Sequence, residues 1–327
     1  MIRGGLMNLV ALEKVEFMGW KNCIKISNEI VELIITTDVG PRIISYGFSG
    51  DKNEFCIWEE QAGLTGGDEW RCYGGSRLWH GPEVGQRCYE PDNISINWEQ
   101  IENGIILKQE IEPWTKIRKE ISIILDNEST LVRFDHKITN ESPWDASLCI
   151  WVLTLMDSNG MCIISAPNQV MDMSPNSVLP IGAIAFWPYT SLADSRFKMS
   201  DKYFVLRHNP GITQNFKIGM PVFEGWAAYV NNNHMFIKYF EHKTGEKYPD
   251  FSSSFELYCC ERFTEVETLS PMRKLKNGES LEHCEFWELH NNVKMPENDK
   301  EIDSIVLPLI RKELGFVKKC ISNNRLT

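Results

Sequence analysis

Apolar and polar residues alternate one by one along much of this chain. In residues 131–138 the side chains divide into two sets, one for each face of an extended segment: Val132, Phe134, His136 and Ile138 against Arg133, Asp135 and Lys137. A period of two residues is that of a β-strand, whose side chains point alternately to opposite faces. The pattern therefore predicts an antiparallel sheet with one packed face and one wet face.

Short segments of this kind recur throughout the chain. They predict strands at residues 24–26, 31–35, 98–102, 105–110, 117–125, 131–138, 147–155, 225–230, 235–240, 254–260 and 283–289. Asn103–Gly104 predicts a tight hairpin with a type I′ turn, and Ser174–Pro175–Asn176 is typical of the turns between other segments. Many short strands with no linker-like break favour an all-β fold, one large antiparallel β-sandwich.

Helical periodicity is scarce and falls near the end of the chain. Residues 299–314 carry Ile302, Ile305 and Leu309 at helical spacing, which predicts a short helix. Pro308 lies inside this pattern and predicts a kink or an end there, and we expect the residues after Lys318 to be frayed. We therefore expect residues 1–294 to form the sandwich domain and residues 295–327 to form a partly helical tail.

Charge and cysteine usage exclude several classes of partner. The formal net charge of −11 argues against a nucleic-acid partner and against docking on an anionic membrane. Residues 1–12 are too short to span a membrane and lack a clear cleavage site. Ten scattered cysteines without a C-x-x-C pair are typical of buried thiols in a reducing compartment. We expect a cytoplasmic monomer or homodimer that uses no metal and no cofactor.

Residues 66–83, G-G-D-E-W-R-C-Y-G-G-S-R-L-W-H-G-P-E, form the most unusual segment. Its glycine pairs allow positive φ and close approach, and its tryptophans stand beside arginines and a histidine. Aromatic rings and convergent polar groups suit a sugar, which presents C–H faces and hydroxyls. The alternative is a structural loop whose aromatic side chains plug the core.

A second polar segment, residues 265–289, lies near the end of the chain. If residues 263–269 are extended, Glu265 and Glu267 project to the same side. Two carboxylates on one face need partners when they are buried, so they indicate either a cleft that orients hydroxyls or a solvated face.

The motifs in these two segments resemble those of the galactose mutarotase-like superfamily, which contains the aldose 1-epimerases. This chain has Glu267–Thr268, then Asn277–Gly278–Glu279, His283 and Trp287, where that superfamily has a Glu-Thr strand and a closing strand. An early turn at residues 37–43 is also similar, and the whole chain is most similar to a bacterial branch. The resemblance implies a β-supersandwich with Glu267 as the catalytic base.

The resemblance also implies candidates for the remaining roles. His80, in Leu78–Trp79–His80–Gly81, is the candidate proton donor, and Arg71 and Arg77 are the candidate donors to sugar hydroxyls. The other candidate substrate-binding residues are Trp70, Trp79, Glu69 and Glu265. Each arginine has an alternative as an ion-pair partner of Asp68, Glu69 or Glu83, and for residues 248–250 we favour a plain turn over a pocket rim.

One feature departs from the superfamily pattern. The epimerases carry a second histidine, their general acid, in a strand that corresponds to residues 147–156, S-L-C-I-W-V-L-T-L-M, which contain none. Ring opening needs a base at the anomeric hydroxyl and an acid at the ring oxygen. Three functions stay open: an anomer-interconverting isomerase, a non-catalytic glycan-binding module, and a polysaccharide-active enzyme. In each of them the partner is a sugar or glycan.

Overall fold

The computed structural model describes residues 10–168, 178 and 180–323. Most of residues 1–12 and the predicted turn Ser174–Pro175–Asn176 lie outside these ranges. The first ten strands are β1 (Ala11–Phe17), β2 (Trp20–Ser27), β3 (Val31–Thr36), β4 (Arg42–Phe48), β5 (Ser76–Gly81), β6 (Asn97–Ile101), β7 (Gly104–Lys108), β8 (Ile117–Leu125), β9 (Val132–Asn140) and β10 (Ala146–Met156).

The strands that follow are β11 (Met161–Ser165), β12 (Ala185–Phe186), β13 (Phe197–Met199), β14 (Tyr203–Arg207), β15 (Phe216–Met220), β16 (Trp226–Asn231), β17 (His234–Tyr239), β18 (Phe255–Cys259), β19 (Thr264–Leu269), β20 (Arg273–Leu275) and β21 (Ser280–His290). Helical turns occur at Gly85–Cys88 and Pro249–Ser252, and the C-terminal helix comprises Asp299–Glu301, Ile302–Val306 and Leu307–Asn323.

These strands form two large antiparallel sheets. The first sheet has the order β1-β2-β3-β4-β5-β10-β19-β18-β15-β12, with β20 beside β10. The second has the order β13-β14-β11-β16-β17-β21-β9-β8-β7-β6. The main apolar core lies between them, where alternate residues of β10, β18 and β19 meet those of β8, β9 and β21. The all-β sandwich predicted from the alternation is confirmed.

The hairpin between β6 and β7 forms, but its turn lies one residue earlier than expected. Ile101 pairs with Gly104, so the loop consists of Glu102 and Asn103. Of these only Asn103 has a positive φ, +54°, which excludes the type I′ turn. Gly104 belongs to β7, where it pairs with Ile124 of β8. A Cβ there would lie 1.9 Å from the carbonyl oxygen of Ile123, so glycine is the residue that fits.

The C-terminal helix continues through Pro308 to Asn323, so it does not end at the proline. Residues 319–323 belong to the helix rather than to a frayed tail, and residues 324–327 lie outside the described ranges. A π-helical turn, Ile302–Val306, ends two residues before the proline. Proline has no N–H to donate to the preceding turn, and its ring needs space there. A π-helical turn is wider than an α-helical one and interrupts the regular hydrogen-bond pattern, so it accommodates the proline. Burial holds the later part in place, because Val317 and Cys320 pack in the apolar cluster on the outer side of the second sheet.

Gly75 occupies a position that another residue fits only with strain. Its φ is +70°, and a Cβ would lie 2.2 Å from the carbonyl oxygen of Ile43 on β4. Gly66 has a similar φ, +66°, but nothing lies within 4 Å of its Cβ position. We therefore expect Gly75→Ala to lower the free energy of unfolding by about 3 kcal/mol, from backbone strain plus overpacking.

Gly66→Ala is the matched control for Gly75→Ala, because it carries the backbone strain alone. We expect it to cost about 1 kcal/mol. Urea unfolding of both variants measures the difference, and equal losses would contradict the steric argument.

Candidate functional site

Five adjacent strands of the first sheet, β5-β10-β19-β18-β15, carry polar and aromatic side chains on the face turned away from the second sheet. On β19, Val266 packs in the core between the sheets. Glu265 and Glu267 therefore project to the outer side, because neighbouring residues of a strand point to opposite faces. The predicted shared face of these two carboxylates is confirmed, although both side chains are buried rather than solvated.

The strand register brings further side chains to Glu267. Glu256 of β18 lies directly opposite Glu267, and Trp79 of β5 lies directly opposite Trp151 of β10. Directly opposed residues of an antiparallel pair have neighbouring side chains on the same face. Two carboxylates in this position repel each other, so the pair needs a cation.

Lys217 of β15 supplies that cation. Its Nζ lies 2.7 Å from a carboxylate oxygen of Glu256 and 3.1 Å from Oε2 of Glu267. Oε2 of Glu267 also accepts a hydrogen bond of 2.8 Å from Nε1 of Trp151. Among the described residues, Oε1 of Glu256 and Oε1 of Glu267 are buried and have no partner. Each carboxylate therefore keeps one oxygen for a further donor.

Burial shifts the protonation of this cluster. It raises the pKa of Glu256 well above its ordinary value, although the charge of Lys217 opposes the shift. Burial alone would lower the pKa of Lys217, but the charges of Glu256 and Glu267 raise it well above its usual range. Groups whose pKa is shifted strongly by burial and by a charged neighbour are typical of sites that perform acid–base chemistry.

Arg77 and Glu265 form a second buried ion pair beside the first. Nη2 of Arg77 lies 3.1 Å from Oε1 of Glu265, and the guanidinium lies over the rings of Trp79 and Trp70, 4.5 and 5.4 Å from their centroids. The two indoles pack edge-on against Tyr89. The structure thus brings four of the predicted residues together, and it pairs Arg77 with Glu265 rather than with a carboxylate of its own loop.

The burial of Glu265 makes stability depend on pH. Burial raises its pKa from an ordinary value of 4.5 to about 7, against the opposing effect of Arg77. A carboxyl group whose pKa is higher in the folded protein than in the unfolded one contributes fully to stability below the pKa of the unfolded state. This contribution is lost as the pH rises through the pKa of the folded state. Between pH 5 and pH 8 the wild-type protein should therefore lose on the order of 3 kcal/mol more unfolding free energy than Glu265→Gln. Urea unfolding across this range measures the difference, and parallel curves would contradict it.

Arg71 and Glu69, two other candidates from the segment 66–83, have different neighbours. Nη1 of Arg71 donates to the carbonyl oxygen of Gly66 at 2.7 Å and to the hydroxyl of Tyr73 at 3.1 Å. Glu69 is exposed, and its carbonyl oxygen accepts a hydrogen bond from Asn93. Neither Arg71 nor Glu69 contacts the carboxylate cluster among the described residues, so their assignment as substrate-binding residues stays a prediction.

His80 lies on the other side of its strand. Leu78 packs in the core between the sheets, so His80, two residues later, points the same way, opposite to Arg77 and Trp79. Burial lowers the pKa of its imidazole well below the ordinary value, and neither ring nitrogen has a partner among the described residues. The structure therefore does not bring His80 together with Glu267.

A cavity of about 340 Å³ opens beside the cluster, lined by Glu83, Gly85, Trp151, Trp187, Asp250 and Glu256. Three larger hollows, of about 870, 680 and 470 Å³, lie along the second sheet, the first two next to the C-terminal helix and the third beside β20. Within the described part of the chain, none of them contains a buried carboxylate oxygen that lacks a partner. We therefore place the candidate site at the smaller cavity.

One wall of the cavity is a left-handed turn. Asp250, Phe251 and Ser252 have φ values of +46°, +59° and +73°, and three such residues in succession are strained. Strain of this kind concentrates at functional sites. Residues 248–250 are thus more than the plain turn expected, since Asp250 lines the cavity.

Sequence reasoning missed Lys217, Glu256, Trp151 and Trp187 as site residues. A usable signal exists for the two charged residues, because each stands alone in an apolar strand segment, F-K-I-G-M and F-E-L-Y-C. A buried charge in such a position needs a partner. The partner itself is a matter of sheet order, which the local sequence does not reveal.

Two further results bear on the other expectations. All ten cysteines are free thiols. Within residues 10–168, 178 and 180–323, no three His, Cys, Asp or Glu side chains are grouped so as to hold a metal ion. In the same ranges no helix has the length and apolar character needed to cross a membrane. The compartment, the partners and the oligomeric state stay predictions.

No protein-family model matches this chain, and no curated protein sequence matches it. Solved structures match it in fold. A galactose mutarotase-like protein from Lactobacillus casei ATCC 334 superposes with a TM-score of 0.54 at 11% identity, covering 82% of this chain and 100% of that one. A galactose mutarotase related enzyme from Lactobacillus acidophilus gives 0.52 at 10% identity, covering 84% and 100%.

A candidate aldose 1-epimerase from Escherichia coli K12 gives a TM-score of 0.54 at 9% identity, covering 83% of this chain and 99% of that one. Identities this low establish the architecture and leave the activity to be argued from the site. The chain has the galactose mutarotase-like fold that the motifs around His80 and Glu267 predict.

Proposed function

We propose that this protein binds an aldose in the cavity beside Trp151 and interconverts its anomers by general acid–base catalysis. The observation that carries the proposal is the pairing of Glu256 and Glu267 across β18 and β19, with Lys217 between them. A volume of about 340 Å³ is at the lower end of ligand pockets, roughly 300–1,000 Å³. This size suits a monosaccharide.

The chemistry needs one proton acceptor and one proton donor. Glu267, whose Oε2 accepts hydrogen bonds from Trp151 and Lys217, has the role of base toward the anomeric hydroxyl. Glu256, whose pKa burial raises well above its ordinary value, has the role of acid toward the ring oxygen, in place of His80. The ring opens as the first proton leaves and the second arrives, and ring closure on the opposite face of the carbonyl returns both protons.

Aromatic side chains around the cavity support a sugar rather than another small molecule. Trp151 and Trp187 line it, and Trp79 packs against Trp151 with ring centroids 5.4 Å apart. Indole faces suit the C–H faces of a pyranose. The carboxylates of the cavity accept hydrogen bonds from its hydroxyls.

A non-catalytic glycan-binding module is the second candidate. The observation that favours it is the burial of Glu267, which is 0% exposed and already accepts two hydrogen bonds. In this alternative the carboxylates orient hydroxyls and no proton is transferred.

Polarimetry of freshly dissolved α-anomers of several aldoses tests the proposal. An isomerase accelerates the approach to the equilibrium rotation in proportion to protein concentration. Saturable quenching of tryptophan fluorescence by a sugar, without acceleration, would instead establish the binding module. New ultraviolet absorption from an unsaturated product of a polysaccharide would indicate the third function, a polysaccharide-active enzyme.

A further inference from the structure

The cavity beside Trp151 is acidic to a degree that a neutral sugar does not require. Three of its six lining residues are carboxylic acids, Glu83, Asp250 and Glu256, and none of the six is a lysine or arginine. Glu256 is only 1% exposed, it lines the cavity, and its Oε1 has no partner within the described ranges.

The cations nearest to the cavity are already engaged. Lys217 is shared by Glu256 and Glu267, and Arg77 pairs with Glu265. Two cations thus serve three buried carboxylates, and Glu83 and Asp250 add two more acids at the cavity wall. Within the described part of the chain, the side chain of Asp250 has no ion-pair partner at all.

We infer that the preferred ligand is an aldose with a free amino group, an amino sugar whose ammonium lies against Asp250 at the acidic wall of the cavity. This inference rests on the sugar-binding function proposed above and names its substrate class. An ammonium donates up to three hydrogen bonds and carries the charge that the carboxylates need. A neutral sugar offers hydroxyl donors only, and N-acetylation removes the charge while leaving the ring unchanged.

Titration calorimetry with three ligands tests the inference: a free hexosamine, the parent hexose and the N-acetylated hexosamine, each at a pH where the amine is protonated. We expect the free hexosamine to bind roughly five- to tenfold more tightly than the other two. Its affinity should fall with added salt, while that of the parent hexose should not.

Asp250→Asn is the variant that tests the inference most directly. Asparagine tolerates the positive φ of this position, so the turn keeps its backbone while it loses one charge. The preference for the free hexosamine should shrink severalfold. Glu13→Gln, on strand β1 at the far edge of the sheet, removes the same charge away from the cavity and should leave all three affinities unchanged.

Each outcome separates this inference from the proposed function. Equal or tighter binding of the parent hexose overturns the inference and leaves the sugar-binding function standing, and so does an unchanged preference in Asp250→Asn. Binding of methylammonium as tight as that of the hexosamine also overturns it, because the sugar ring would then contribute nothing. Failure of all three sugars to bind contradicts the proposed function itself.

Discussion

Glu267→Gln is expected to lower the kcat/KM for anomer interconversion by roughly 10²- to 10⁴-fold. The substitution keeps the shape of the side chain, and the amide oxygen still accepts hydrogen bonds from Nε1 of Trp151 and Nζ of Lys217. An amide does not take up a proton from the anomeric hydroxyl. Polarimetry measures the rate, and tryptophan fluorescence shows whether the sugar still binds.

The same assay on Glu256→Gln assigns the second role. Loss of the proton donor should also lower kcat/KM, and it should remove the high-pH limb of the pH–rate profile, because a raised pKa sets the pH at which the acid is lost. Glu13→Gln, an exposed carboxylate in an ion pair with Lys25, is the control and should leave the rate unchanged. Full activity in Glu267→Gln would exclude this residue as the base.

Lys217→Met should have the largest effect on stability. Lys217 is 4% exposed and holds two buried carboxylates, so its removal leaves a buried negative charge without compensation. Breaking a buried pair in this way costs about 3–5 kcal/mol of unfolding free energy at neutral pH. The loss should be smaller at pH 5, because without the cation the pKa of Glu256 rises further and its protonated form becomes available.

Urea unfolding at pH 7.5 and pH 5 measures this effect. The double variant Lys217→Met with Glu256→Gln should recover part of the loss, since the amide cannot ionise and so cannot repel the carboxylate of Glu267. Lys108→Met breaks an exposed pair with Glu99 and should cost no more than about 1 kcal/mol. If Lys217→Met lost no more unfolding free energy than Lys108→Met, electrostatic attraction to Lys217 would not be what stabilises the carboxylate pair.

Local pattern was enough to predict much of the architecture. The alternation in residues 117–125 predicts the strand that forms, Ile117–Leu125, because burial of one face imposes a period of two on the sequence. The errors occur where distant contacts intervene. Gly104 joins its strand by pairing with Ile124 of β8, and the C-terminal helix passes Pro308 because its later turns are buried against the second sheet.

In the candidate site, too, the features that depend on local residue spacing can be predicted from the sequence. Glu265 and Glu267 are two residues apart on one strand, so the sequence alone places them on a common face. His80 is likewise two residues from Leu78, and that spacing puts it in the core, a consequence that motif similarity alone does not reveal.

By itself the sequence determined the all-β class, the shared face of Glu265 and Glu267, and the polar and aromatic character of residues 66–83. These follow from side-chain period and composition, which are local. Only the tertiary structure decided that Lys217 and Glu256 join Glu267 and that Trp187 and Asp250 line the same cavity. The order β19-β18-β15 brings those side chains together, and such an order arises from long-range strand pairing.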